Sequence, residues 1–337
     1  MNLTIYPFNT YKYTNVYFQK HNDNKQNNNA ACYNLLSSIC FKASAQKAQL
    51  NATVAAKEKR IREVINSIAD DFKQFPQVKA IAIGGSKSTG KADKSSDIDI
   101  EIYTDGKIPA EDRLAIAKKY GSKKYHIGQE FFGDCDEFQL SDIGQLDISY
   151  FDKQWMDGVI DDVWHQHRAS NGYTTCFLHT IKNCEPLYDK DGWLQEKKQD
   201  LATPYPKELK ENIVRRNMQL LSDKVFDSYS KQIKKALDRE DYVSLNHRIA
   251  AFIQSYFDIL FALNETFHPG EKRLVEFVYD KCTIFPADFE HSVEHLAKYP
   301  KDDPMTYVND LIKGIRRCIE DNMPDFKMES SNEYIAR

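Results

Sequence analysis

Two runs of β-branched residues, separated by a loop rich in glycine and lysine, constrain the fold of this chain more than any other feature. The first run, residues 78–83 (VKAIAI), is apolar at nearly every position and stops at two glycines. The second run, residues 97–103 (DIDIEIY), alternates acidic and apolar residues. Because side chains on a strand alternate between its two faces, this pattern predicts two strands. The isoleucines of the second strand face a core, and its acids collect on the other face.

The acids and the glycines of this stretch predict a chemical site. Asp97, Asp99 and Glu101 share one strand face, where their mutual repulsion is commonly offset by a hard divalent cation bound through oxygen. The backbone N–H groups of Gly84-Gly85-Ser86 make a concavity suited to phosphate oxygens, and Lys87 adds positive charge. A phosphate-binding loop ahead of paired carboxylates is what phosphoryl or nucleotidyl transfer requires.

The glycine-serine segment, the ten-residue spacer and the D-x-D pair together resemble the nucleotidyltransferase superfamily that includes DNA polymerase beta. Members of this superfamily carry a third carboxylate on a later strand, and Asp147 in the β-prone run 145–151 (QLDISYF) matches it. The resemblance implies that Asp97, Asp99 and Asp147 are catalytic and bind two Mg²⁺ ions. It leaves open whether Asp147 is a metal ligand or the general base.

The same resemblance implies a nucleoside triphosphate, with ATP as the first choice, as co-substrate. Its phosphates are expected to contact Gly84, Gly85, Ser86, Lys87 and Lys272. Lys272 follows Pro269-Gly270 in the stretch 261–274 (FALNETFHPGEKRL), which looks like a motif in the helical domain of transferase families close to the lincosamide nucleotidyltransferases. A surface ion pair with Glu265 or Glu271 is the alternative role for this lysine.

The order of patterns along the chain predicts an α+β architecture with two domains. Residues 1–45 have no periodicity and are expected to be a disordered arm. Residues 46–200 are expected to form the catalytic domain, a small mixed sheet flanked by helices. Residues 201–325 are expected to form a helical bundle, and residues 326–337 are expected to be a tail. The helices predicted in the bundle are 207–239, 241–266, 271–281, 286–298 and 304–321.

Composition restricts the location and the substrates. With 337 residues and a net charge of −4, the chain lacks the basic character of a protein that grips long nucleic acid. Its seven cysteines include no C-x-x-C pair, which favours free thiols in a reducing compartment and argues against zinc. No apolar run is long enough for a membrane span, and no signal peptide is recognisable. We therefore expect a cytoplasmic protein without membrane partners; a homodimer is compatible with this expectation.

The acceptor is the least constrained part of the prediction. Two-domain size and acidic charge resemble the enzymes that adenylylate antibiotics such as aminoglycosides and lincosamides, which implies a small-molecule hydroxyl as acceptor. Asp134, Asp136, Glu137 and Glu265 are the acids that could favour a cationic acceptor. Two alternatives stay open: a toxin-like transferase that modifies a protein or tRNA, and a catalytically silent nucleotide-binding regulatory module.

Overall fold

The computed structural model describes residues 55–85, 97–131, 133–140, 143–222 and 227–328. Chain contacts define two compact units, Met1–Arg62 and Glu63–Arg337. Residues 55–62, the described part of the first unit, are helical. Ser86, Lys87 and the predicted N-terminal arm at 1–45 lie outside the described residues. The predicted boundary at residue 200 stays a prediction.

The second unit contains a six-stranded mixed sheet, and the predicted α+β class is confirmed. Its strands are β1 (Val78–Ile83), β2 (Ile98–Thr104), β3 (Gly121–Gln129), β4 (Cys135–Leu140), β5 (Gly144–Asp152) and β6 (Glu185–Asp189). Their order across the sheet is β3-β4-β5-β2-β1-β6. β2 and β5 are parallel, and the other neighbouring strands are antiparallel.

Helices cover both faces of the sheet. In chain order these are α1 (residues 63–72), α2 (Ala110–Tyr120), α3 (Lys153–Ile160, continued by a π-helical turn at Asp161–His165), α4 (Cys176–Asn183) and α5 (Trp193–Asp200). Ala80, Ala82 and Tyr103 share a core with residues of α3, α4 and α5. The ring of Phe72 in α1 lies 6.1 Å from that of Tyr150, which is paired with Ile102. The alternation of β2 thus places its isoleucines and its acids on opposite faces, as predicted.

The described residues from 207 onward are mainly helical, as predicted. Its helices are α6 (Lys207–Leu221), α7 (Tyr229–Asp238), α8 (Tyr242–Leu263), α9 (Leu274–Lys281), α10 (Phe289–Lys298) and α11 (Pro304–Asn322). They enclose a core of their own. The prediction of one helix over 207–239 is wrong, because Ser222 has an extended backbone with φ −155° and the helix ends before it. Within the described ranges, no helix has both the length and the apolar character required to cross a membrane.

A buried polar cluster connects α8 with the segment before α4. Asp258 of α8 accepts hydrogen bonds from the backbone N–H of Thr174 at 3.0 Å and from its hydroxyl at 2.7 Å. The side-chain amide of Asn217, on α6, donates to the same carboxyl group at 3.0 Å. All three residues are buried, so three separate chain segments are held together by one satisfied carboxyl group.

Candidate active site

The glycine pair at the end of β1 is in contact with two carboxylates of β2. The backbone N–H of Gly84 donates to the carbonyl of Asp99 at 3.0 Å, which continues the antiparallel pairing of the two strands. Gly85 has φ +62°, and a Cβ atom there would overlap Oδ2 of Asp99. A Cβ atom at Gly84 would overlap Oε1 of Glu101. Only glycine fits at either position without a shift of a carboxylate.

Asp99 and Asp147 are neighbours across the parallel strands. They are direct partners in the register of β2 and β5, so their side chains leave the sheet on the same face. Asp97 immediately precedes β2 and is exposed, whereas Asp99 and Asp147 are half-buried. The fold therefore brings together the three aspartates that the sequence singled out, although Asp147 lies on a strand far along the chain.

The charges around Asp147 include the predicted lysine. Burial raises the pKa of the Asp147 carboxyl, and a hydrogen bond from Gln145 at 2.9 Å opposes this increase. The negative charges of Asp97 and Glu137 raise the pKa further, and the positive charge of Lys272 lowers it. Lys272 itself is exposed. Its charge thus acts on one of the three aspartates, although it belongs to the loop before α9.

Glu101 occupies a different environment from the other acids of β2. It is 7% exposed and accepts a hydrogen bond from the hydroxyl of Tyr103 at 2.8 Å. Burial raises the pKa of Glu101 to about 7, the Tyr103 bond opposes the increase, and the charge of Asp99 adds to it. Because Glu101 lies beneath Gly84, it supports the glycine turn rather than the open part of the site. The sequence pattern alone grouped it with Asp97 and Asp99.

The donor chemistry of the site suits a divalent cation, since three carboxylates supply the oxygen ligands that magnesium prefers. The raised pKa of Asp147, to which Asp97 contributes, reflects a concentration of negative charge that a cation would offset. In the described part of the chain, however, no three His, Cys, Asp or Glu side chains already stand at the spacing of a metal centre. Magnesium binding by these aspartates stays a prediction.

The acids considered for a cationic acceptor are mostly neutralised by partners. Arg113 of α2 donates to Asp134 at 2.8 Å and lies 3.6 Å from Asp136. Asp136 is 1% exposed and also accepts from the hydroxyl of Tyr150 at 2.7 Å. Sequence patterns indicate solvated acids beside a turn at Asp134 and Asp136, but a buried arginine from another element pairs with both, so neither carboxylate is free for a cationic acceptor.

Comparison with known protein families identifies the sheet region. Residues 66–131 match the model of the family described as polymerase beta, nucleotidyltransferase. The match includes β1, the glycine pair, Asp97 and Asp99. Residues 66–131 are therefore a polymerase beta-like nucleotidyltransferase domain. By this match the protein is a nucleotidyltransferase.

A second family model matches a later part of the chain. Residues 173–274, from the segment before α4 to the start of α9, match a family described as a domain of unknown function, DUF4037. This range includes Asp258 and Lys272. No curated protein matches the chain. The resemblance to antibiotic-modifying enzymes is therefore unconfirmed.

Solved structures similar to this chain include a nucleotidyltransferase-like protein and two complexes of a CCA-adding enzyme. A nucleotidyltransferase-like protein from Exiguobacterium sibiricum is 9% identical with a TM-score of 0.37, and the alignment covers 77% of this chain and 75% of that chain. A CCA-adding enzyme in complex with CTP is 17% identical, and one with ATP is 16% identical. Both have a TM-score of 0.27 and cover 79% of this chain and 71% of the other.

Proposed function

We propose that this nucleotidyltransferase moves AMP from ATP to a hydroxyl group of a small molecule and releases pyrophosphate. The observation that carries the proposal is the direct pairing of Asp99 with Asp147 beside the Gly84-Gly85 turn. The acceptor oxygen forms a bond to the α-phosphorus, and the bond from that phosphorus to the oxygen shared with the β-phosphate breaks, so that pyrophosphate leaves. The hydroxyl proton passes to Asp147, if it is the general base, or otherwise to water. Antibiotic hydroxyls are the acceptor class suggested by the sequence resemblance.

Each part of the site has a role in this proposal. Asp97, Asp99 and Asp147 would hold magnesium, which when bound supplies charge neutralisation for the triphosphate and the attacking oxygen. Gly84 and Gly85 keep the backbone close enough to Asp99 for N–H groups and carboxylates to face the same ligand. Lys272 reduces the negative charge around Asp147 and would contact the leaving pyrophosphate.

Pyrophosphate release by the purified protein tests the reaction. We would supply Mg²⁺ and each nucleoside triphosphate in turn with aminoglycosides, lincosamides and bulk tRNA, and compare Asp99→Asn with the wild type. Asp310→Asn is a matched control, because Asp310 is an exposed acid on α11. Release that requires an acceptor and is lost only in Asp99→Asn supports the proposal. Turnover retained in Asp99→Asn contradicts it.

The two roles of Asp147 give different results in the same assay. If Asp147 is a metal ligand, Asp147→Asn weakens Mg²⁺-dependent ATP binding together with turnover. If it is the general base, the variant still binds ATP with Mg²⁺ and loses only turnover. Transfer of a labelled nucleotide from the triphosphate to tRNA or protein would favour a macromolecular acceptor. Mg²⁺-dependent nucleotide binding without pyrophosphate release would favour a regulatory module.

A further inference from the structure

A cavity of about 490 Å³ lies against α4 and α9 and is not part of the carboxylate site. Cavities of a few hundred Å³ with apolar walls and a few polar groups are typical binding sites for small molecules. Its lining includes His179 and Lys182 from α4, and Phe277 and Lys281 from α9. Its position and its chemistry together indicate a ligand.

The charged groups of the cavity are mainly ammonium groups. Lys182 donates to the carbonyl of Leu201 at 2.9 Å, and it has no carboxylate partner within the described ranges. Lys281 lies 3.9 Å from Asp280, and both side chains are exposed, so this pair is weak. The acidic lining residue Glu265 is bound to Lys210 at 2.6 Å. The cavity therefore has an excess of positive charge.

The walls of the cavity are apolar and aromatic. Trp164, Phe267 and Phe277 line it and are buried. Burial lowers the pKa of His179 to about 4, so its imidazole is neutral at pH 7 and adds no charge. In the part of the chain that the structure describes, neither ring nitrogen of His179 has a hydrogen-bond partner. A neutral imidazole can accept a hydrogen bond from a hydroxyl group.

Two chain segments connect the cavity to the carboxylate site. α4 ends with Lys182 and Asn183 in the cavity lining, and Glu185, two residues later, pairs with Ile83 directly before the glycine turn. On the other side, Lys272 acts on Asp147, and the helix that follows it carries Phe277. The cavity is thus lined by two helices, and the residues that adjoin them, Glu185 after α4 and Lys272 before α9, lie towards the carboxylate site.

We propose that this cavity binds the acceptor, and that the acceptor is a small organic anion with a ring or another apolar body and a hydroxyl group. The inference rests on the proposed function and narrows its acceptor class. The anion contacts Lys182 and Lys281, and the apolar body contacts the aromatic wall. The reacting hydroxyl extends from the cavity towards Asp99 and Asp147, while His179 accepts a hydrogen bond from a second polar group of the ligand. A polycationic aminoglycoside does not fit a cavity that has an excess of positive charge.

Three matched probes test the charge preference without any transfer reaction. They are para-hydroxyphenylacetate, para-hydroxyphenylacetamide and tyramine, which share the ring and the hydroxyl but are an anion, a neutral amide and a cation. Binding to the full-length protein is measured by saturation-transfer NMR and titration. We expect the anion to bind about tenfold more tightly than the amide, because it gains a charged hydrogen bond, and tyramine to bind most weakly. Equal affinities, a preference for tyramine, or no binding of any probe would overturn the proposal.

Lysine variants locate the bound anion. Lys182→Gln and Lys281→Gln should each reduce the affinity for para-hydroxyphenylacetate by several-fold to about tenfold. The affinity for para-hydroxyphenylacetamide should stay unchanged. Lys313→Gln is the matched control, because Lys313 is an exposed lysine on α11. It should change the affinity for neither the anion nor the amide. Unchanged anion affinity in both cavity variants would place the anion elsewhere and overturn the proposal.

ATP binding separates this inference from the proposed function. ATP with Mg²⁺ should bind equally well to Lys182→Gln and to the wild type, and it should not displace para-hydroxyphenylacetate. Displacement by ATP would make the cavity part of the nucleotide site and overturn the acceptor assignment. If the probes fail while pyrophosphate release still depends on Asp99, only the acceptor assignment is wrong.

Discussion

Asp99 fills the space that a side chain at Gly85 would need, so this carboxylate and the backbone of the glycine turn are in direct contact. Any residue other than glycine must displace the carboxylate, the turn or both. The contact places the end of β1 and the acidic face of β2 in one rigid arrangement. Precise placement of catalytic groups matters because displacements of about 1 Å can reduce rates by about a hundredfold.

We expect Gly85→Ala to reduce kcat by about a hundredfold or more, since its Cβ overlaps Oδ2 of Asp99 and its φ of +62° is unfavourable for alanine. Gly106→Ala is the control. Gly106 also has a positive φ, +89°, but a Cβ atom there meets nothing within 4 Å. The control should cost about 1 kcal/mol of stability and keep its activity. Equal activity losses in both variants would show that backbone strain, not the Asp99 contact, is responsible.

Lys272→Ala should raise the KM for the nucleoside triphosphate by about tenfold with little change in kcat. The lysine is exposed and its charge acts on Asp147, so its removal affects bound phosphate rather than folding. Initial rates of pyrophosphate release at varied ATP check this, with Lys313→Ala as control. A large loss of kcat at unchanged KM would assign Lys272 to the transition state instead.

Arg113→Met should destabilise the protein by about 3 kcal/mol or more, because it leaves the buried Asp136 without its cation. Urea unfolding of both proteins measures the difference. Lys107→Met is the comparison, since the ion pair of Lys107 with Glu130 is exposed on both sides and such pairs contribute about 1 kcal/mol at most. A small effect in Arg113→Met would mean that Asp136 is neutral in the folded protein.

Asp258 should make the folded protein less stable as the pH rises. Burial raises the pKa of Asp258 from 3.8 to about 7, which outweighs the opposing hydrogen bonds from Thr174 and Asn217. Between these two pH values the folded state holds a proton that the unfolded state has released, so the free energy of unfolding falls with increasing pH. Outside this pH range the titration of Asp258 does not change the free energy of unfolding with pH.

Asp258→Asn removes the titration of Asp258 and keeps that of Glu101, whose pKa is also about 7. The difference between the wild type and the variant therefore reports Asp258 alone. Chemical unfolding of both proteins from pH 4 to pH 8 gives the comparison. We expect the stability advantage of the wild type over the variant to shrink as the pH rises. An advantage that is constant or grows with pH would show that the hydrogen bonds keep Asp258 ionised.

The central strands and the carboxylates could be predicted from sequence because their signals are local. β1 and β2 have clear periodicity, and β5 contains the apolar alternation that marks Asp147. β3 and β6 were not predicted. Both lie at the edges of the sheet, where apolar residues are not required, and β6 contains Pro186.

Long-range pairing explains what sequence reasoning missed in the site. Asp136 looks like a solvated acid until Arg113, on another element, is placed beside it. A signal for this pairing exists, because Arg113 shares a helix face with the buried Ile116 and Ala117. A charged residue on an apolar helix face indicates a buried partner, but periodicity does not identify which one.

The parallel register of β2 and β5 makes the pairing of Asp99 with Asp147 independent of the length of chain between them. Residues 105–143 could gain or lose residues in an exposed turn such as the one at Gly106 without changing how Asp99 faces Asp147. One residue inserted between Gly144 and Asp147 would instead turn Asp147 to the opposite face of the sheet. Sequence variation in such enzymes should therefore be tolerated in the crossover and excluded from the first residues of β5.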